Sequence, residues 1–337
     1  MLALALLARA SRLHTMATGS DKALSDGAAW AALRTSVAEG SKPPAARGGH
    51  TTTLVEKNLL VQGGQQHKNA GVFEYYSLNP VVLDTETHTW FEPRVALGKG
   101  PTPRAYHTTT RIGSELFVFG GSTAKKAGES GLLGDMPIFD LVRMAWDTKD
   151  VRGKKPRARY MHTAALSEGK LFIFGGSAGA QALSDVNVLD VATMLWSQPK
   201  CTGDPPPGLQ AHTCTLVGSR LFMVGGMAVT MDDAGHSFIK YSEDVFSLEM
   251  STMQWTRLRR RGEQPTGRGY HAAAVVGKRR RRLETASSLP LQHAISIPAR
   301  SARMHDTRRA RRAQPSASRL NSSPSPHAPD PPPQVTS

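Results

Sequence analysis

The hydrophobic pattern of this chain is a run of four apolar residues that stops at a pair of glycines. It occurs as Leu116-Phe117-Val118-Phe119 before Gly120-Gly121, as Leu171-Phe172-Ile173-Phe174 before Gly175-Gly176, and as Leu221-Phe222-Met223-Val224 before Gly225-Gly226. Gly63-Gly64 closes a fourth version. Four consecutive apolar residues bounded by turn residues predict a short strand buried on both faces. A Thr/Ala-rich strand precedes each run, as in Thr108–Ile112. A third strand is predicted over Pro137–Leu141, Val186–Val191 and Asp244–Leu248, and a fourth beginning near each tryptophan. The predicted unit is four antiparallel strands.

Fixed spacings make the unit a repeat. A histidine stands thirteen residues before the first glycine each time: His50 to Gly63, His107 to Gly120, His162 to Gly175, His212 to Gly225. An acidic residue stands six before a tryptophan each time: Asp84 and Trp90, Asp140 and Trp146, Asp190 and Trp196, Glu249 and Trp255. The next histidine follows after 17, 16, 16 and 16 residues. Only the distance from the second glycine to tryptophan varies, at 26, 25, 20 and 29 residues. A period near 50 indicates a repeat architecture.

These residues resemble the kelch repeat, with its Gly-Gly strand end and downstream tryptophan. The resemblance runs from His50 to about Gly277 and implies an all-β, kelch-type β-propeller of four complete four-stranded blades, open or incomplete. Under it, Gly63, Gly64, Gly120, Gly121, Gly175, Gly176, Gly225, Gly226, Trp90, Trp146, Trp196 and Trp255 are structural repeat positions. Glycine supplies positive φ and close backbone approach. Tryptophan supplies a large apolar body between sheets.

Residues 21–49 form a linker until aligned with the repeat. Trp30, Gly40, Pro43, Arg47 and His50 then mirror Trp90, Gly100, Pro103, Arg104 and His107. Trp30 is expected to open a lone outer strand that completes the last blade and so removes a sheet edge. A fifth repeat starts at Gly269–Gly277 and departs from the pattern, because Arg280, Arg281 and Arg282 stand where the apolar run belongs. Buried arginine needs partners, so no central strand is expected there. Glu284 and Thr285 occupy the glycine positions. The expectation is a truncated or mis-spliced fifth blade followed by a disordered, basic Pro/Ser/Arg-rich tail over 278–337.

Charge follows the same division. The net charge is +15, and residues from Lys278 onward supply +9 of it, from twelve Lys/Arg against three Asp/Glu. The repeat region is only mildly basic, and no aromatic residue interleaves the tail arginines. Nucleic acid is therefore not expected as a specific partner, leaving nonspecific attraction through the tail. Met1–Ser20 contains no acid, two arginines (Arg9 and Arg12) and the apolar run Leu2–Ala8. It reads as a leader before a start at Met16, or as a transit segment to a mitochondrion or plastid. No run of about 18 apolar residues predicts a membrane span. The two cysteines, Cys201 and Cys214, argue against a disulfide framework and favour a reducing, cytoplasmic setting.

Catalytic chemistry finds little support in these residues. The five repeat histidines serve blade structure, as residues recurring in every blade do. Asp232, Asp233 and His236 form a weak loop cluster. Neither cysteine lies in a setting like that of the copper-radical oxidases, and no G-x-S-x-G, H-E-x-x-H or phosphate loop occurs. No cofactor or metal is expected. The reading is a scaffold that binds a protein or peptide partner through propeller loops, with a small-molecule or metal-dependent enzyme on the same fold as the alternative. Three insertions stand out as contact surface: Gln65–Asn79 with Phe73, Tyr75 and Tyr76, then Ser122–Asp135, then Met227–Glu243 with Phe238 and Tyr241. Arginine three before the histidine recurs as Arg47, Arg104, Arg159 and Arg268, with Leu209 the exception. These form either a basic ring for acidic peptides or inter-blade ion pairs. The kelch resemblance implies an adaptor, a small-GTPase effector or a ubiquitin-ligase substrate receptor. No BTB-like or F-box-like helical segment accompanies it.

Overall fold

The computed structural model describes residues 33–68, 72–96, 100–124, 131–231, 236–259, 262, 265–275 and 294–297. Every regular element among them is a β-strand. Four antiparallel meanders form the predicted blades. Blade 1 is Thr51–Val55, Asn58–Gln62, Val81–Asp84 and Thr89–Phe91. Blade 2 is Thr108–Ile112, Glu115–Phe119, Ile138–Asp140 and Ala145–Asp147. Blade 3 is Thr163–Ser167, Lys170–Phe174, Val186–Asp190 and Leu195–Ser197. Blade 4 is Thr213–Val217, Arg220–Val224, Val245–Glu249 and Gln254–Arg257.

The apolar runs of blades 2 and 3 are buried because each lies between two neighbouring blades, while in the blade 4 run Leu221 and Met223 are buried and Phe222 and Val224 half-buried. Side chains alternate along a strand, so successive residues pack in opposite directions. Phe117, Phe119 and Ile138 of blade 2 meet Leu171, Ile173, Leu189 and Trp196 of blade 3. Phe172, Phe174, Val186 and Val188 of blade 3 meet Leu221, Met223, Phe246, Leu248 and Trp255 of blade 4. Trp196 and Trp255 are buried in this way and Trp90 packs on Leu59, Val61 and Leu83 of its own blade, whereas Trp146 is half-buried and donates its indole N–H to Asn79 Oδ1 at 2.8 Å.

In blades 1 to 3 the aspartate six before the tryptophan closes the turn into the fourth strand, whereas Glu249 of blade 4 accepts from the Arg220 side chain instead. Asp84 Oδ1 accepts from the backbone N–H groups of Glu86 and Thr87, both at 2.9 Å. Asp140 repeats this with Val142 and Arg143, and Asp190 with Thr193. The Thr87 N–H, first among several donors, lowers the Asp84 pKa to about 2. Two residues before each tryptophan, His88, Met144, Met194 and Met253 all take positive φ.

Three sheets carry a fifth strand that the repeat pattern did not reveal. Ser36–Val37 lies parallel to Thr89–Trp90, Arg152–Gly153 to Leu195–Trp196, and Thr202–Gly203 to Gln254–Trp255. Each is the connector into its own blade, folded across that blade's outer edge. Blade 2 shows one bond of the same kind, from Ala96 N–H to the Met144 carbonyl at 2.8 Å. The described N-terminal strand, Ser36–Val37, covers the edge of blade 1. Trp30, expected to open the closing strand, lies outside the described residues. Ala272–Val275 forms the first strand of the fifth repeat, and it pairs antiparallel with Ala294–Ile297. That second strand falls inside the 278–337 stretch expected to hold none. Arg280–Arg282 lie outside the described residues.

Candidate functional site

Each blade is joined to the next by the same set of contacts at its Gly-Gly end. The repeat histidine reaches back to a threonine of the preceding blade. His107 Nε2 lies 3.1 Å from Thr51 Oγ1, His162 Nε2 3.0 Å from Thr108, His212 Nε2 2.9 Å from Thr163, and His271 Nε2 2.9 Å from Thr213. The partner in each case is a threonine hydroxyl. The second glycine of each pair donates its N–H to the next blade: Gly64 to the Arg104 carbonyl, Gly121 to Arg159, Gly176 to Leu209 and Gly226 to Arg268, all at 2.8 Å. Leu209 keeps this backbone role without the arginine side chain. The first glycine makes room for the contact. A Cβ on Gly175, which has φ +51°, would stand 2.7 Å from the Leu209 carbonyl and 3.0 Å from that of Leu183.

A second series of bonds links the residues just before the histidines. Tyr106 N–H donates to the Gly49 carbonyl (2.7 Å), Met161 to Tyr106 (3.0 Å), Ala211 to Met161 (2.9 Å) and Tyr270 to Ala211 (3.0 Å). All five residues have positive φ, and four of them are not glycine. Such non-glycine conformers are uncommon.

The buried histidines give the seams a pH dependence. Burial, with help from neighbouring cations, lowers the His107 pKa to about 3, and burial lowers that of His212 to about 4. Burial also carries His162 well below its ordinary value. The unfolded chain binds these protons near pH 6.5 and the folded chain does not, so stability falls as pH drops from about 6.5 towards 4. The slope approaches about 1.4 kcal/mol per pH unit for each such histidine. We expect urea midpoints measured from pH 7 to 4.5 to decline, and His212→Gln to flatten that decline. An unchanged slope in the variant would show that this histidine is not the group responsible.

The repeat arginines separate into different settings. Arg104 and Arg159 are 0% exposed. Arg159 Nη1 and Nη2 grip Asp185 at 2.7 and 2.8 Å, and Nη1 also donates to the Gly175 carbonyl at 2.9 Å. Arg104 holds Asp135 and the Gly120 carbonyl at matching distances. Both therefore clamp the inside of their own blade. They belong neither to a basic ring nor to inter-blade pairs, because the carboxylate lies in the segment leading into the same blade's third strand. Arg47 and Arg268 are half-buried. Arg47 lies over the Tyr76 ring at 3.9 Å, and Arg268 Nε donates to the Thr266 carbonyl at 3.0 Å. In blade 4, where leucine replaces arginine, Asp244 pairs with Arg257 at 2.8 Å.

Two of the three insertions are β-hairpins rising from the Gly-Gly end. Gln65–His67 pairs with Phe73–Tyr75, and Met227–Met231 with Ser237–Tyr241. Phe73, Phe238 and Tyr241 are exposed, while Tyr75 and Tyr76 are half-buried. Val72, Val229 and Ile239 are exposed beside them, with Ile239 at 55%. Only the aromatic residues of the insertions stand out by residue type, and these three aliphatic ones do not. Val229 and Ile239 face each other across the second hairpin. The third insertion is described only in part; Ser122 bridges Ala105 and Leu132. Tyr106 lies 6.3 Å from both Tyr160 and Tyr270, and the Tyr270 hydroxyl donates to Met161 Sδ at 3.2 Å. Reading the two positions before each repeat histidine would have found these tyrosines.

Among the described residues, no group of three or more His, Cys, Asp or Glu could hold a metal ion. Asp232 and Asp233 lie outside them. Cys201 and Cys214 are free thiols, and burial pushes Cys214 up to about 12. No helix among the described residues is long and apolar enough to cross a membrane.

Four meanders, seamed by His–Thr and Gly-Gly contacts and packed through a recurring tryptophan, define a kelch-type β-propeller. The chain belongs to the kelch-repeat family: residues 49–281 match the model of the KLHDC2/KLHL20/DRC7 kelch-repeats domain. It is 35% identical over 256 residues to acyl-CoA-binding domain-containing protein 4 of Arabidopsis thaliana, covering 74% of this chain and 28% of that protein. It is 41% identical over 99 residues to the Rab9 effector protein with kelch motifs of Gallus gallus, covering 29% of this chain and 26% of that protein. The chain thus spans under a third of the length of these relatives. Among solved structures, that of YjhT superposes with a TM-score of 0.55 at 17% identity, covering 67% of this chain and 74% of the other. That likeness concerns the fold.

Proposed function

We propose that this chain is a protein-interaction module that engages its partner with the hairpin-bearing, Gly-Gly end of the blades. The observation that carries the reading is the contrast in apolar surface. Blade strands bury most of their large side chains against neighbouring blades and expose only scattered ones such as Leu54, Leu195 and Val217, whereas the two hairpins gather Phe73, Val229, Phe238, Ile239 and Tyr241 as exposed groups. Aromatic and β-branched groups on a rigid support are typical anchors of protein interfaces. The blade architecture provides the support, since each hairpin grows directly from a Gly-Gly seam. A small-GTPase partner receives support from the Gallus gallus relative, a Rab9 effector, and an adaptor role is compatible with the same surface.

The test uses the full chain with Phe238→Ser and Ile239→Ser together. Surface changes of this kind move stability by only about 0.5 kcal/mol, so thermal unfolding should hardly change. Cross-linking mass spectrometry should show a partner set captured by the native chain and by Val142→Ser, an exposed position away from the hairpins. The hairpin variant should lose that set at least tenfold. Equal capture by all three proteins would overturn the proposed face.

A further inference from the structure

Blade 1 retains the arginine of the repeat but lacks its aspartate. In blades 2 and 3 the residue whose carbonyl accepts from the first glycine N–H is Asp135 or Asp185, and its carboxylate fills the guanidinium fork. The corresponding residue in blade 1 is Ser77, whose carbonyl accepts from Gly63 N–H at 2.9 Å. Arg47 is nevertheless anchored as its counterparts are. Its Nη1 donates to the Gly63 carbonyl at 3.0 Å and its Nε to the Ala45 carbonyl at 3.0 Å. Arg104 and Arg159 make the same two bonds. The fork is therefore held ready while its ligand is missing.

The surroundings suit a visiting ligand. Tyr76 lies under the guanidinium at 3.9 Å and donates its hydroxyl to Gln66 Oε1 at 2.8 Å, which fixes the ring. Arg47 opens onto a groove of about 360 Å³, also lined by Tyr76, Ser77, Asn79, Pro80 and Glu92. No carboxylate of the described residues pairs with it. Glu74 is held by Lys68 at 2.9 Å, and Glu92 lines the groove without reaching the fork. Blade 4 shows the reverse loss, and there Arg257 comes to the aspartate. Blade 1 has no such substitute among the described residues.

The geometry points to Arg47 as a carboxylate-binding site for a partner's acidic group, seated where blades 2 and 3 seat their own aspartate. Planar forks of this kind bind carboxylates bidentately. This rests on the proposed interaction role, because the groove lies at the base of the blade 1 hairpin and would take an acidic residue of the docked chain. Side-chain and C-terminal carboxylates share this chemistry.

Three labelled, N-acetylated pentapeptides distinguish the sources. One has a central aspartate and an amidated end, one a free C-terminal carboxylate and no acidic side chain, and one neither. Binding to the full chain is read by fluorescence anisotropy. At least one of the carboxylate peptides should bind at least tenfold more tightly than the neutral one. Arg47→Gln should abolish that difference. Ser77→Asp should also abolish it, by filling the fork from within, and it should raise the unfolding temperature. That rise shows that the variant is folded and separates competition from damage. No preference for either carboxylate peptide overturns the site, as does a preference that survives both substitutions. Loss of partner capture in the hairpin variant, with Arg47→Gln capturing normally, would reject this site and leave the interaction role standing.

Discussion

Asp185→Ala is expected to cost about 3–5 kcal/mol of folding stability, the range for removing one partner of a buried ion pair. Arg159 is fully enclosed, and its fork has the Asp185 carboxylate as its only anionic ligand among the described residues. Without it the guanidinium retains carbonyls of Gly175 and Arg157, which cannot balance its charge. Asn187 also loses its acceptor on Asp185 Oδ2. Arg159→Met combined with Asp185→Leu should regain most of the loss, since replacing a buried pair by apolar groups is often neutral. Urea unfolding of the two variants checks this. A single variant within about 1 kcal/mol of the native chain would mean that the arginine relaxes to water, contrary to its burial. Acid acts in the same direction. Burial pushes the Asp185 carboxyl up, but hydrogen bonds and charge from Arg159 outweigh it and hold the pKa below its usual value. Its contribution is present above about pH 4 and is lost as pH falls further.

Gly175→Ala should cost about 3 kcal/mol or more, whereas Gly113→Ala costs about 1 kcal/mol. The two positions share left-handed backbone, with φ +51° and +60°. They differ in what a methyl group meets. At Gly113 nothing lies within 4 Å, while at Gly175 carbonyls from two chain segments stand at 2.7 and 3.0 Å. One of those carbonyls, Leu209, accepts the Gly176 N–H that seams blade 3 to blade 4. Backbone must therefore move at a blade junction, and the interleaved Phe174, Leu209 and Trp255 move with it. Equal losses at both sites, measured by thermal unfolding, would mean that φ strain alone explains the glycine.

The blade framework was legible because its causes are local or strictly periodic. Runs such as Leu171–Phe174 report burial on both faces, and the Asp190-to-Trp196 spacing reports a turn closed by a carboxylate. What escaped detection depends on which distant segment comes alongside. Nothing in Arg152-Gly153 or Thr202-Gly203 looks like a strand, since each owes its pairing to an outer edge supplied about 40 to 50 residues later. The arginines were legible as a set but not as individuals. Their fates depend on whether the segment leading into the third strand supplies Asp135, Asp185 or, in blade 1, Ser77 at the corresponding place. Aromatic residues of the insertions were found by type, while Val229 and Ile239 required knowledge of the hairpin register.

The bonds linking Gly49, Tyr106, Met161, Ala211 and Tyr270 use only main-chain atoms, and the positions are filled by glycine, methionine and alanine as well as by tyrosine. What the junction demands is a backbone angle, not a side-chain identity. Mutation can therefore exchange these side chains while the blades stay joined, at the modest cost of a left-handed residue. The same side chains lie at the end of the blades that carries the hairpins. Descendants of this chain are thus free to change what that end recognises without renegotiating how the blades are held together.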